Sequence, residues 1–174
     1  NLRSGSNFCS KTSWPRKKWS NEINMLRSSQ TEFNADILEV IANLSNDAVF
    51  TPPRLANNLL DTLPKEVWSN PNLKWLDPAN GTGPYPIMVI YKLMNGLAEW
   101  EPDAEKRYKH IVENMIYVCE IQAKNMFLFH TAFDREDDYE LNTYYGSFLD
   151  KSFDEHMKNV WGVDKFDVVL GNPP

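Results

Sequence analysis

From residue 73 onward, short apolar runs alternate with helix-length segments, and no other feature constrains the fold of this chain as strongly. Strands are predicted at residues 73–76 and 115–119, within residues 141–149, and at residues 166–170. Helices are predicted at residues 53–63, 84–97 and 121–132, with helical turns around residues 103–110. Strands that alternate with helices favour right-handed βαβ units, in which parallel strands form one sheet. We therefore expect an α/β fold with a parallel sheet flanked by helices.

The length and composition of the chain are those of a globular domain. Its 174 residues are 42% apolar and 13% aromatic, which is enough for a core and unlike the composition of disordered chains. No apolar run approaches the roughly 18 residues of a membrane span, and no signal segment opens the chain. The 2 cysteines are too few for a disulfide framework or a zinc site. These observations predict a cytoplasmic protein without membrane contacts.

Charge is unevenly distributed along the chain. Residues 1–20 contain basic but no acidic side chains, although the net charge of the whole chain is -6. The remainder is therefore acidic and lacks the positive surface that dominates nucleic-acid binding, so a DNA partner would be contacted mostly by a region outside this chain. We interpret residues 1–30 as a flexible basic segment and residues 31–174 as the domain, which begins with an amphipathic helix at residues 31–44.

The segment Asp-Pro-Ala-Asn-Gly-Thr-Gly, residues 77–83, lies between a predicted strand and a predicted helix, and we call it the glycine loop. Glycines let the backbone approach a ligand closely, and the N-terminus of the following helix offers N–H groups without helical partners. Pro84 suits the first position of that helix, where an N–H is not needed. The loop predicts a site of the nucleotide-binding type, with an ordinary strand-to-helix turn as the alternative.

Glu120 stands at the end of the second predicted strand. Doubly wound folds place an acidic residue there, and its carboxylate accepts hydrogen bonds from ribose hydroxyl groups. Glu120 is further from Asp77 than the roughly 20 residues of a compact βαβ unit, and we attribute the excess to an insertion at residues 98–109. A solvated strand end is the alternative interpretation.

The chain ends in Asn-Pro-Pro, residues 172–174, directly after the fourth predicted strand; we call these residues the Asn-Pro-Pro motif. In a parallel sheet this motif lies at the carboxyl edge beside the glycine loop, where ligands bind. The amide oxygen of Asn172 and the carbonyl groups of the rigid prolines form a small cluster of acceptors. Such a cluster suits a planar NH₂ group, which can donate two hydrogen bonds. A plain turn is the alternative.

These features, with Phe-Thr-Pro at residues 50–52, resemble the S-adenosylmethionine-dependent amino methyltransferases, and most closely the N6-adenine DNA methyltransferases of restriction-modification systems. The resemblance covers roughly residues 46–174 and implies a Rossmann-like methyltransferase domain that uses S-adenosylmethionine. The order of cofactor motifs, catalytic motif and target recognition is that of one subgroup, often fused to nucleases. It therefore implies duplex DNA as substrate and a fused or separate restriction nuclease as partner.

The resemblance also implies a role for individual residues. The methionine part of the cofactor would be held by Phe50, Thr51, Pro52, Asp77, Ala79, Gly81 and Gly83. Glu120 would bind the ribose, with Ile121 against the adenine face. The cofactor adenine would be received by residues 144–149, and we assign this contact to Phe148, because Ser147 stands where the family frequently has Asp. The catalytic residues would be Asn172, Pro173 and Pro174.

The chain departs from the family at its end, because the aromatic residue that follows the second proline is absent. We therefore expect a fragment that lacks the C-terminal strands and the target-recognition region. The missing aromatic residue would stack on the target base. The fragment is accordingly expected to be inactive on DNA by itself, as part of an active enzyme.

Other functions remain open. Methyltransferases that act on protein glutamine or RNA guanine, or on cytosine N4, use similar motifs, although the cytosine enzymes usually have Ser at the position of Asn172. A cofactor-binding subunit without activity is the non-enzymatic alternative. The Asp-Pro-Ala opening of the glycine loop and the upstream Phe-Thr-Pro favour the adenine enzymes. No metal site is predicted, since His110, His130 and His156 lie far apart in the sequence.

Overall fold

The computed structural model describes residues 53–134 and 136–173. The basic segment at residues 1–30, the helix predicted at residues 31–44, the Phe-Thr-Pro residues 50–52 and Pro174 lie outside the described residues. The predicted boundary at residue 31 likewise stays a prediction.

The elements of the described chain follow one another in the predicted alternation. They are α1 (Pro53–Leu60), a 3₁₀ helix (Lys65–Ser69), β1 (Trp75–Asp77), α2 (Pro84–Gly96), α3 (Ala104–His110), a π-helix (Ile111–Met115), β2 (Ile116–Glu120), α4 (Ala123–Phe133), β3 (Asn142–Tyr145), α5 (Lys151–Asn159) and β4 (Val168–Val169). The four strands form one sheet in the order β3-β2-β1-β4, and every neighbouring pair is parallel. The predicted α/β fold with a parallel sheet flanked by helices is confirmed.

Both faces of the sheet are covered. Along β1, Trp75 contributes to a large apolar cluster, while Leu76 contributes to a smaller one. Helices α1, α2 and α4 supply side chains to the large cluster, and α5 supplies Phe153 and Met157 to the small one. Because successive side chains of a strand point to opposite faces, this alternation places helices on the two sides of the sheet.

Helix α5 was absent from the sequence-based prediction, and the structure corrects this omission. Its sequence, Lys-Ser-Phe-Asp-Glu-His-Met-Lys-Asn, is mostly polar, and only Phe153 and Met157 are buried. A helical period expressed by one pair of residues is a weak signal. The π-helix was also missed; it ends at Met115, so β2 begins one residue later than predicted.

The order of the strands creates a reversal in the sheet. β2 and β3 lie on one side of β1, whereas β4 lies on the other side. Open α/β sheets bind ligands beyond the carboxyl ends of the strands at such a reversal. The crevice between the ends of β1 and β4 is therefore the place where a ligand is expected. No helix within residues 53–134 and 136–173 is long and apolar enough to cross a membrane.

Candidate functional site

The glycine loop leaves β1 and turns across the end of β2. The backbone N–H of Asn80 donates to the carbonyl of Cys119 over 2.9 Å, and that of Gly83 donates to the carbonyl of Asn80 over 2.9 Å. Gly81 and Gly83 have φ angles of +56° and +90°. These left-handed conformations are strained for residues with a Cβ atom, so the turn needs glycine at both positions.

Glu120 joins the glycine loop to the end of β2. Its side chain is buried, and Oε2 accepts a hydrogen bond from the N–H of Gly81 at 2.6 Å. Its Oε1 accepts another from the N–H of Gln122 at 2.7 Å. Glu120 is therefore not a solvated strand end. A carboxylate can accept about four hydrogen bonds, so capacity remains for the hydroxyl groups of a ligand.

Asp77 is a buried acid of the site with a raised pKa. It is only 3% exposed, and its Oδ1 accepts a hydrogen bond from the N–H of Ala79 at 3.1 Å. Burial raises the pKa of Asp77 to about 7, the Ala79 N–H opposes this rise, and the negative charge of Glu120 adds to it. Its other oxygen, Oδ2, is buried without a hydrogen-bond partner among the described residues.

Asn80 is a site residue that sequence reasoning misses. It is 2% exposed, and its Nδ2 donates to the carbonyl of Gly81 at 3.2 Å. Its Oδ1 is a second buried oxygen without a hydrogen-bond partner in the described part of the chain. Buried polar atoms of this kind are uncommon in folded proteins and call for an explanation. The signal that could have found it is a polar amide inside a turn between Ala79 and Gly81.

β4 carries the Asn-Pro-Pro motif to the glycine loop. The N–H of Leu170 donates to the carbonyl of Leu76 at 3.0 Å, which extends the pairing of β1 and β4 by one residue. The next residue, Gly171, lies so close to Asp77 that a Cβ atom on it would be 2.7 Å from Oδ1 of Asp77. Asn172 and Pro173 are exposed beyond this contact. The structure thus brings the two predicted motifs together, as the parallel sheet requires.

The predicted adenine-binding residues lie along the same edge of the sheet. The N–H of Gly146 donates to the carbonyl of Glu120 at 3.0 Å, so the segment after β3 borders the end of β2. Ile121 is 61% exposed and Phe148 36% exposed. Ser147 uses its hydroxyl locally, since its Oγ accepts a hydrogen bond from the N–H of Leu149 at 3.2 Å. Apolar side chains are therefore available to a ligand at this edge.

The histidines lie apart from this site. Nε2 of His110 is 2.9 Å from the carbonyl of Pro71, and Nε2 of His130 is 3.1 Å from Oγ1 of Thr143. Burial lowers the pKa of His130. Within the described ranges, no group of three or more His, Cys, Asp or Glu side chains is arranged to hold a metal ion.

Comparison with known proteins gives one informative similarity. No family model matches the chain. Over 85 residues the chain is 41% identical to a protein of Mycoplasma pneumoniae (strain ATCC 29342 / M129) named "Uncharacterized adenine-specific methylase". The match covers 47% of this chain and 20% of the relative, so the matched part amounts to about a fifth of the relative's length. This similarity agrees with the methyltransferase resemblance of the sequence motifs.

Proposed function

We propose that this chain forms the cofactor-binding and catalytic part of a DNA methyltransferase that transfers a methyl group from S-adenosylmethionine to N6 of adenine. The observation that carries the proposal is the contact between Gly171 and Asp77, which places the Asn-Pro-Pro motif beside the glycine loop at the reversal of the sheet. The similarity to a protein named as an adenine-specific methylase supports methylation of adenine.

The residues of the glycine loop fit the proposed cofactor. Oδ2 of Asp77 and Oδ1 of Asn80 are buried acceptors without hydrogen-bond partners among the described residues, and they suit a donor such as the ammonium group of the methionine part. A Cβ atom on Gly81 would meet nothing within 4 Å, so the loop is open to a ligand there. Glu120 suits the ribose hydroxyls. When bound, S-adenosylmethionine supplies an electrophilic methyl group on a positively charged sulfur.

The Asn-Pro-Pro motif would hold the target amino group. The lone pair on N6 of adenine is conjugated with the ring and is a poor nucleophile. Hydrogen bonds from its two N–H groups to the side-chain oxygen of Asn172 and the carbonyl of Pro173 would favour a more localised lone pair, aimed at the methyl group. No strong base is needed at this step, because catalysis comes chiefly from positioning and from fixed dipoles.

The substrate would be a base taken out of the DNA duplex. Extruding a paired base costs a few kcal/mol, which contacts in the pocket offset. We place most of the DNA-binding surface outside this chain, because the net charge of -6 is unsuited to binding phosphates. A restriction-modification system, with its nuclease fused or separate, is the proposed setting.

Nucleoside mass spectrometry tests the reaction, the substrate and the role of Asn172 together. The complete protein is expressed in a methylation-deficient host, and its DNA is compared with DNA from cells that express Asn172→Ala. We expect new N6-methyladenine that disappears in this variant. Asn159→Ala is a matched control, because Asn159 is exposed at the end of α5.

Each other outcome changes the proposal. Equal N6-methyladenine in the parent and in Asn172→Ala would remove Asn172 from the catalytic site. N4-methylcytosine would change the base. A protein that binds cofactor and leaves all DNA bases unmodified would point to protein glutamine, RNA guanine or a subunit without activity.

A further inference from the structure

The contact between Asp77 and Gly171 joins residues that are distant in the sequence. Asp77 ends β1, and Gly171 follows β4, which pairs with β1 through Trp75 with Val168 and Leu76 with Val169. A Cβ atom on Gly171 would lie 2.7 Å from Oδ1 of Asp77 and 3.5 Å from its Cγ. The first distance is shorter than real Cβ contacts, so only glycine allows the backbone to approach Asp77 this closely.

Backbone conformation does not explain this glycine. The glycines with positive φ angles in the described chain are Gly81, Gly83 and Gly162. Gly171 is not among them, so its lack of a side chain matters for its close approach to Asp77 and, at 3.3 Å, to Cδ of Pro78. The same oxygen of Asp77, Oδ1, accepts a hydrogen bond from the N–H of Ala79. Oδ1 of Asp77 thus contacts both the next part of the glycine loop and the residue that precedes Asn172.

We propose that Asp77 is a positioning residue for Asn172. The carboxyl group of Asp77 packs against the backbone of Gly171 and thereby fixes the Asn-Pro-Pro motif relative to the glycine loop. This inference rests on the proposed function, since it assumes that Asn172 binds the target amino group. Pro173 has no N–H with which to anchor the motif. A displacement of about 1 Å in a reacting group can lower a rate about 100-fold, so a contact that fixes the position of Asn172 would raise the rate of methyl transfer.

The first test replaces Gly171 in the complete protein. Gly171→Ala is expected to lower kcat for N6 transfer about tenfold or more, with the Kd for S-adenosylmethionine changed less than about threefold. Gly162→Ala is the matched control: Gly162 has a φ angle of +65°, a Cβ atom there would meet nothing within 4 Å, and the residue lies outside both motifs. This control should lose stability and keep its kcat, which separates misplacement of the motif from general instability.

The second test changes the shape of residue 77. Asp77→Ser removes the carboxyl oxygen that would collide with a Cβ atom, and its Oγ would take about the place of Cγ, at a distance of ordinary contact. We expect Asp77→Ser to lower kcat. When Gly171→Ala is added to it, the further loss should be smaller than in the parent, because only the 3.3 Å contact between the Cβ atom and Cδ of Pro78 then remains tight. Asp77→Asn keeps the shape of the side chain and should retain a kcat well above that of Asp77→Ser. The comparison of Asp77→Asn with Asp77→Ser tests the positioning role even if Gly171→Ala alone does not fold.

The outcomes distinguish the two proposals. Additive losses in the double variant, an equal loss in Asp77→Asn and Asp77→Ser, or a parental kcat in Gly171→Ala would overturn the positioning role while leaving the proposed function intact. In Gly171→Ala, a fall in cofactor affinity as large as the fall in kcat would also overturn it, because the added methyl group would then act through the cofactor. A parent that produces no N6-methyladenine would overturn the proposed function and this role with it.

Discussion

The two loops that meet at the carboxyl edge are built in opposite ways. The glycine loop is tied into the protein: Asp77 and Asn80 are buried, and the N–H of Gly81 is held by the buried Glu120. The Asn-Pro-Pro motif is exposed at Asn172 and Pro173, and it leaves the sheet after the hydrogen bond made by Leu170. Among the described residues, the glycine loop is part of the core, whereas β4, which pairs with β1 alone, carries the Asn-Pro-Pro motif to the surface.

This difference predicts separate consequences for mutations in the two loops. A change in the glycine loop disturbs buried hydrogen bonds, so it should lower the free energy of unfolding as well as cofactor affinity. A change at an exposed residue of the Asn-Pro-Pro motif should affect the reaction and leave folding nearly intact. The loss of stability should therefore be largest at Glu120, which holds the glycine loop, and smallest at Asn172.

Glu120→Gln should give the largest loss of stability. A glutamine offers one oxygen and one NH₂ group, so it cannot accept from both Gly81 and Gln122 as the carboxylate does. Loss of one hydrogen bond to a buried charged group, with a donor left unpaired, costs about 3 kcal/mol. Urea unfolding of the parent and the variant measures it. Glu66→Gln is a matched change on an exposed glutamate and should leave the free energy of unfolding unchanged. An equal loss of stability in Glu66→Gln would contradict the role of the buried Glu120 in holding the glycine loop.

Asp77→Asn should make the stability less dependent on pH. The pKa of Asp77 is raised from 3.8 to about 7 in the folded chain. The protonated form is therefore favoured by folding, so its contribution to stability is present below pH 3.8 and is lost as the pH rises to about 7. An asparagine side chain at this position cannot ionise, so the variant lacks this dependence.

Between about pH 5 and pH 8, the parent should accordingly lose on the order of 2 kcal/mol of unfolding free energy relative to Asp77→Asn. Urea unfolding at several pH values tests this, and titrating groups that do not interact with Asp77 cancel in the difference between the two proteins. Parallel curves for the parent and the variant would show that Asp77 titrates alike in the folded and unfolded chain.

Gly81→Ala should give a smaller loss of stability and a larger loss of cofactor affinity. With φ at +56° and nothing within 4 Å of a Cβ atom, the substitution costs only backbone strain, about 1 kcal/mol. The added methyl group would enter the space that we assign to S-adenosylmethionine, so calorimetry should show weaker binding. Gly162→Ala has similar strain at φ +65° and should bind the cofactor normally. Equal affinities in the two variants would place the cofactor elsewhere.

The fold was largely predictable because its main signals are local. Apolar runs and glycine turns predict the bounds of β1, β2, α2 and α4 to within about two residues of those observed. Asp103 marks the start of α3, because its side chain accepts hydrogen bonds from the N–H groups of Glu105 and Lys106. Predicted β4 was longer than observed, since this edge strand pairs only with β1 among the described strands. Helix α5 was missed because its buried face consists of Phe153 and Met157.

The site was predictable in its membership and not in its contacts. Strand ends and glycines pointed to Asp77, Gly81 and Glu120, because parallel strands bring their carboxyl ends to one edge. The contacts themselves depend on pairings between residues remote in the sequence. Examples are the hydrogen bond from the N–H of Gly81 to Glu120 and the close approach of Gly171 to Asp77. Such pairings leave no local pattern of residues.

Asn172→Ala should give the smallest change in stability and the greatest loss of transfer. Because Asn172 is exposed, its truncation should change the free energy of unfolding by less than about 0.5 kcal/mol. Cofactor affinity should also stay near that of the parent, since the glycine loop is untouched. If urea unfolding instead shows a loss comparable to that of Glu120→Gln, Asn172 supports the fold, and the exposed loop then serves the structure as well as the reaction.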